Sequence, residues 1–162
     1  MLFREAEAQR RLVLDDSKNV LLVLTGADCK EAVDAAFSFA RSSGKNVTAL
    51  QILTSDLYHY GHNDLIATRP SKAQFLLYIR EQVLERATAQ AAELRKSALD
   101  KGITLLIRPV ETEDVAAAVI AEAKNGYDRI FLPKERKKLF PLLKRPLIRS
   151  LGKELRSRVV EC

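Results

Sequence analysis

Apolar and polar positions fall in blocks along this chain, and the blocks predict its elements. VLLVL at 20–24 is a short, wholly apolar run, the pattern of a strand buried on both faces. Thr25 and Gly26 stop it. Beyond them Val33, Ala36, Phe37 and Ala40 recur at i, i+3, i+4 and i+7, which predicts a helix with one apolar stripe, ended by Ser43 and Gly44. VTALQIL at 47–53 is the second strand, and an irregular polar stretch over 54–71 follows it. The longest helix is expected over about 72–101, with Leu76, Ile79, Val83, Ala87, Leu94 and Ala98 close to one face and Gly102 closing it. ITLLI at 103–107 is the third strand. Thr112 is the expected cap of the next helix, with Glu113 and Asp114 favourable in its first turn. Val115, Ala118, Val119 and Ala123 form its buried side, and Gly126 ends it. RIFL at 129–132 is the fourth strand. A last helix carrying Leu147, Ile148, Leu151 and Leu155 leads to a short strand at Val159 and Val160. Residues 1–18 read as an N-terminal extension, where LFREAEAQRRLV has the character of a short helix, ahead of one domain at 19–162.

Three stretches, SSGKN, DKGIT and KNGYD, each set a glycine where a helix ends and an apolar strand begins. The residue after a helix often takes positive φ, which glycine adopts without steric cost. Strand and helix alternating with short links imply a parallel sheet with helices on both faces. Ligands of such sheets bind beyond the C-terminal strand ends, where strand order reverses. Those ends carry Thr25 and Gly26, then residues 52–54, 110–112 and 133–136, so Ile52, Val110 and Pro133 stand at the expected cleft.

Composition and charge narrow the picture. The chain has 162 residues, 47% of them hydrophobic and 30% charged, which fits one globular domain. No apolar run approaches the roughly 20 residues needed to cross a bilayer, and MLFREAEAQRR has no apolar core of a secretory signal. Cys29 and Cys162 are too few and too far apart in sequence for a disulfide framework or a paired metal site. They read as two reduced thiols of a cytoplasmic protein. Segment 134–149 holds Lys134, Arg136, Lys137, Lys138, Lys144, Arg145 and Arg149 against Glu135, a surplus equal to the whole chain's net charge of +6. The basicity is therefore local and does not describe a protein that coats nucleic acid.

In this order and spacing the chain resembles the universal stress protein family over about residues 19–160. LTGADCKEAVDAAFSFA is similar to the family's first turn and helix. AAELRKSALDKGITLLIRPVETEDVAAAVIAEAKNGYDRIFLPK is similar to its long second helix, third strand, third helix and fourth strand. The resemblance implies a five-stranded, doubly wound parallel α/β sheet with helices on both faces, Rossmann-like and of the adenine-nucleotide alpha-hydrolase type. It also implies a homodimer paired through the last strand, and a stress-response or regulatory role without a defined reaction.

Family members that hold ATP share a G-x2-G-x9-G-[S/T] loop after the fourth strand. Its glycines let backbone N–H groups close around phosphates, and the last one opens a helix whose N-terminus attracts anions. Here the spacing survives and the residues do not. Pro133 stands at the first glycine, Arg136 at the second, Pro146 at the third and Leu147 at the hydroxyl position. Proline has no N–H to donate. The aspartate usual after the first strand is Thr25, and the serine two positions on is Ala27. Gly26 keeps the first turn, and Ile52 keeps an apolar surface where binders pack adenine. The expectation is that family-style ATP binding is lost and that there is no cofactor. Lys134, Arg136, Lys137 and Lys138 supply the contrary reading, an ATP- or AMP-responsive switch in which side chains hold the phosphates.

Two other features are candidates for chemistry. His59 and His62 lie in LYHYGHNDLI and spell H-x-G-H with Gly61, which resembles the phosphate-steadying turn of cytidylyltransferases. In those enzymes the motif follows the first strand and its second histidine opens a helix. Here a complete strand–helix unit precedes it, Pro70 lies eight residues beyond His62, and no serine/threonine-rich signature follows. The pair reads as cleft-rim loop residues, with a nucleotidyltransferase as the alternative; as a metal site it lacks a third ligand beyond Asp56 or Asp64. The basic segment is either a solvated loop or a site for an anion or an acidic protein partner. Lys137, Lys138, Lys144 and Arg145 are its candidate anion contacts, and Leu139, Phe140, Leu142 and Leu143 interleave with them. Phe140 alone is too little aromatic surface for nucleic-acid stacking.

Overall fold

A computed structural model of the protein describes residues 19–25, 29–53, 69–112, 114–134 and 152–162. The apolar run after the extension is β1, Asn19–Leu24, and all six of its residues are buried. It is the middle strand of a five-stranded sheet in the order β3-β2-β1-β4-β5, in which every strand pair is parallel. The other strands are β2 at Asn46–Leu53, β3 at Leu105–Glu111, β4 at Arg129–Leu132 and β5 at Val159–Glu161. The connections between them carry α1 at Lys30–Ser43, α2 at Arg69–Asp100, α3 at Val115–Ala123 and the single turn α4 at Lys153–Arg156. A central strand in a parallel sheet meets helices on both sides, which is why β1 shows no polar alternation.

Successive side chains of β1 divide the interior. Val20, Leu22 and Leu24 face one layer, where Ala32, Ala36, Phe37 and Ala40 of α1 and Leu94 and Ala98 of α2 pack on them. Leu21 and Val23 face the other, with Leu50, Ile52, Ile130 and Leu132 beneath Val119 and Ala123 of α3. Phe37 is wholly enclosed, and burying such a ring contributes about 2–3 kcal/mol. On the first face Gln51 is the polar exception. Its amide donates to the Ala87 carbonyl and to the Gln90 side chain, both at 2.9 Å, and so fastens α2 to the sheet without an orphaned donor.

Several predicted boundaries move. α2 begins at Arg69, with Pro70 in its first turn, where a missing N–H costs nothing. β3 starts two residues later than expected and runs four residues further, because Ile103 belongs to the turn out of α2: its N–H reaches back to the Ala98 carbonyl at 2.8 Å. Pro109 continues the strand because β3 lies at the sheet edge. The cap of α3 is Asp114, not Thr112. The Asp114 carboxylate accepts from the Ala117 N–H at 2.9 Å, while the Thr112 hydroxyl accepts from the Asp114 N–H at 3.1 Å. Gly44 closes α1 in the left-handed region at φ 65°, and its N–H bonds the Ala40 carbonyl. The extension 1–18 and the polar stretch 54–68 lie outside the described residues.

Candidate ligand crevice

The strand order reverses between β1 and β4, since the chain runs outward to β2 and β3 and then returns to the other side of β1. In an open parallel sheet this places the crevice over the C-terminal ends of β1 and β4. The pairing of Leu21 with Ile130 and of Leu22 with Phe131 sets the register. Carried beyond the paired residues, it puts Leu24 level with Pro133 and Thr25 level with Lys134. Thr25 is exposed as it leaves the sheet, Pro133 is half-buried and Lys134 is exposed.

The backbone around Pro133 is already engaged. Beyond β5 the Cys162 N–H donates to the Leu132 carbonyl at 3.0 Å, and the Lys134 N–H donates to the Cys162 carbonyl at 2.5 Å. The β4–β5 ladder thus continues past both strands and takes up the Lys134 donor. Pro133 has none to offer. The first two residues after β4 therefore turn no backbone N–H toward the crevice, although the Lys134 ammonium remains as a side-chain cation.

The structure separates the expected cleft residues into two groups. Thr25, Pro133 and Lys134 stand together at the crevice. Ile52 and Val110 are opposite each other on β2 and β3 and pack on the layer beneath α3. Ile52 is only 5% exposed and packs as a core side chain in this arrangement. The sheet alternation explains this: Ile52 shares the face of Leu50, two residues earlier. Gly26, Ala27, Arg136, Pro146 and Leu147 lie outside the described residues. So do His59, His62, Lys137, Lys138, Lys144 and Arg145.

Two residues with no predicted role border this end of the sheet. Cys29 occupies the N-cap position of α1 and is buried. Cys162 follows β5 and packs against the same hydrophobic cluster as Cys29. Burial pushes the Cys162 thiol above its ordinary range, and the Glu31 carboxylate of the first turn of α1 adds to the effect. A raised thiol is a weak nucleophile, so this environment suits packing more than thiolate chemistry. The sequence separation of the two cysteines gave no sign of their shared surroundings. Among the described residues no cluster of three His, Cys, Asp or Glu side chains is placed to hold a metal ion, and no helix is long and apolar enough to cross a membrane.

No protein-family profile and no curated protein sequence matches the chain. Solved structures do. A universal stress protein family member from Burkholderia pseudomallei is 19% identical with a TM-score of 0.54, covering 71% of this chain and 80% of its own. The hypothetical protein MJ0577, the subject of a structure-based assignment of biochemical function, is 14% identical with a TM-score of 0.60, covering 90% and 94%. The universal stress protein UspA from Lactobacillus plantarum is 14% identical with a TM-score of 0.55, covering 90% and 97%. The chain has the Rossmann-like α/β fold of universal stress proteins.

Proposed function

We propose that the protein is a non-catalytic universal stress protein of the cytoplasm. It acts as a homodimer in a stress-response or regulatory role, and its crevice no longer holds ATP in the family manner. The observation that carries this reading is the state of the backbone after β4. Where the ATP-holding loop opens with a glycine, this chain has Pro133, and the next N–H, that of Lys134, is spent on the Cys162 carbonyl. A phosphate cradle needs inward-facing N–H groups, and its first two positions supply none. Thr25 at the end of β1 brings a neutral hydroxyl where an aspartate is usual in the ATP-holding members.

In this reading the working surface is the basic segment beyond Lys134, which binds an anion or an acidic protein partner through Lys137, Lys138, Lys144 and Arg145. Native mass spectrometry of the protein as purified tests the reading. The expected species is a dimer of the 18.2 kDa chain without bound adenine nucleotide. Stoichiometric ATP or AMP would overturn it in favour of a nucleotide-responsive switch.

A further inference from the structure

Among the described residues, the large apolar side chains left exposed all belong to one helix. Phe75, Leu77, Tyr78, Leu84 and Leu99 lie on α2, and all but Leu99 fall in its N-terminal half. The length of α2 explains why. Its 32 residues span about 48 Å, whereas the 7 residues of β3 span about 23 Å. The sheet holds the C-terminal part of the helix: Gln51 bonds at Ala87 and Gln90, and Ala91, Leu94 and Ala98 are buried. Further up, the Arg80 guanidinium donates at 3.4 Å to the carboxylate of Glu111, the last residue of β3. Residues before Arg80 therefore run past the C-terminal end of that strand, and the first turns of α2 have no sheet beneath them.

Phe75 and Tyr78 stand one turn apart on one face of this projecting segment, 43% and 56% exposed. Exposed aromatic side chains gathered on one helix face mark an interaction surface. Their spacing is self-complementary. When a second α2 lies antiparallel with Phe75 opposite the partner's Tyr78, two-fold symmetry sets Tyr78 opposite the partner's Phe75, and the rings of both copies meet at the axis. The same register sets Lys72 level with the partner's Glu81, and Glu81 level with the partner's Lys72, so at that level the two copies present opposite charges. A parallel pairing would set Lys72 level with the partner's Lys72 and lose that match. The antiparallel overlap runs from Arg69 to Leu84, about 24 Å of helix in each copy. It directs the two sheets away from each other, because each lies toward the C-terminal end of its own α2.

We propose that the projecting N-terminal half of α2 is an interaction surface for a second copy of this chain, joined as an antiparallel two-fold pair about Phe75 and Tyr78. α2 packs over β2 and β3, at the sheet edge opposite β5. The surface is therefore independent of nucleotide binding and of any pairing through β5.

Sedimentation velocity of the full chain, from micromolar to submillimolar concentration, tests the proposal, since so short an interface associates weakly. The double variant Phe75→Gln/Tyr78→Gln, at exposed positions, should keep the circular dichroism of the fold and weaken the association at least about tenfold. Leu77→Gln/Leu84→Gln, at exposed positions on another flank of the helix, should leave it unchanged. Lys72→Glu should weaken it several-fold, and Lys72→Glu/Glu81→Lys should restore it, a rescue that only the antiparallel register produces. If pairing through β5 also operates, the unaltered chain reaches tetramers and the Phe75→Gln/Tyr78→Gln variant stops at dimers; otherwise dimers give way to monomers. The same assembly and affinity in the unaltered chain and that variant would overturn the proposal and leave a homodimer through another face. Equal weakening by the two double Gln variants would overturn it as well. A monomer at every concentration would overturn both this surface and the homodimer reading.

Discussion

Replacing Tyr127 with phenylalanine removes one hydroxyl and leaves the ring in place, so its cost isolates a buried polar network. Tyr127 is 4% exposed, and its hydroxyl donates to the Glu122 carboxylate at 2.5 Å. The same carboxylate oxygen accepts from Arg108 at 2.9 Å, and the buried Thr48 hydroxyl also bonds the phenol. The network joins β2, β3, α3 and the start of β4 beneath the second face of the sheet. A hydrogen bond to a charged partner contributes about 1.5–3 kcal/mol, and the change leaves Thr48 short of a partner, so Tyr127→Phe should cost about 2 kcal/mol at neutral pH. Chemical denaturation measures it. The pH dependence is the sharper check. Burial first, and then the Glu122 bond, push the Tyr127 pKa from 10.0 to about 12. A folded-state value raised above the unfolded one means that this stability is complete below pH 10 and is lost as pH climbs toward 12. By pH 11 the loss amounts to about 1.4 kcal/mol. The gap between the two proteins should therefore shrink to well under half its neutral value by pH 11, with background titrations cancelling in the difference. A gap that stays constant from pH 8 to pH 11 would refute the assignment of the phenol to a buried, carboxylate-bonded site.

Local features give further expectations. Asp114→Ala should lower stability by about 1 kcal/mol, because the Ala117 N–H loses its cap; Asp114→Asn should recover most of that loss in the same denaturation assay. Gly44→Ala should also cost about 1 kcal/mol. Open space surrounds the site of a new Cβ, so the strain comes wholly from φ 65°, and Gly44→Asn should be milder in its effect on the melting temperature. If the basic segment binds anions, replacing Lys137, Lys138, Lys144 and Arg145 together with Gln should abolish salt-sensitive binding to anionic ligands, read by titration calorimetry.

The parts of the fold that were legible are those in which burial acts on a run of neighbours. β1 and β4 are short apolar runs because layers cover them on both sides, and the glycines at 44, 102 and 126 mark real left-handed turns. β3 was misplaced because an edge strand tolerates Arg108 and Pro109, which break the apolar run the eye follows. The sequence does not distinguish Thr112 from Asp114 as the cap, because it does not say which oxygen meets the Ala117 N–H. At the crevice, Pro133 as a missing donor was readable from its chemistry. The loss of the Lys134 donor was not, since it depends on a carbonyl contributed by Cys162, far along the chain. That Ile52 packs beneath α3 was not readable either, since it depends on a helix some sixty residues further along.

Titration calorimetry with ATP and with AMP, at low and at moderate salt, addresses the altered crevice most directly. The proline at the first loop position and the engaged Lys134 N–H predict either no measurable heat or a weak binding that salt abolishes, as expected of exposed lysines without a backbone cradle. Micromolar affinity that persists at moderate salt would contradict the account and make the protein a nucleotide binder by a different set of contacts.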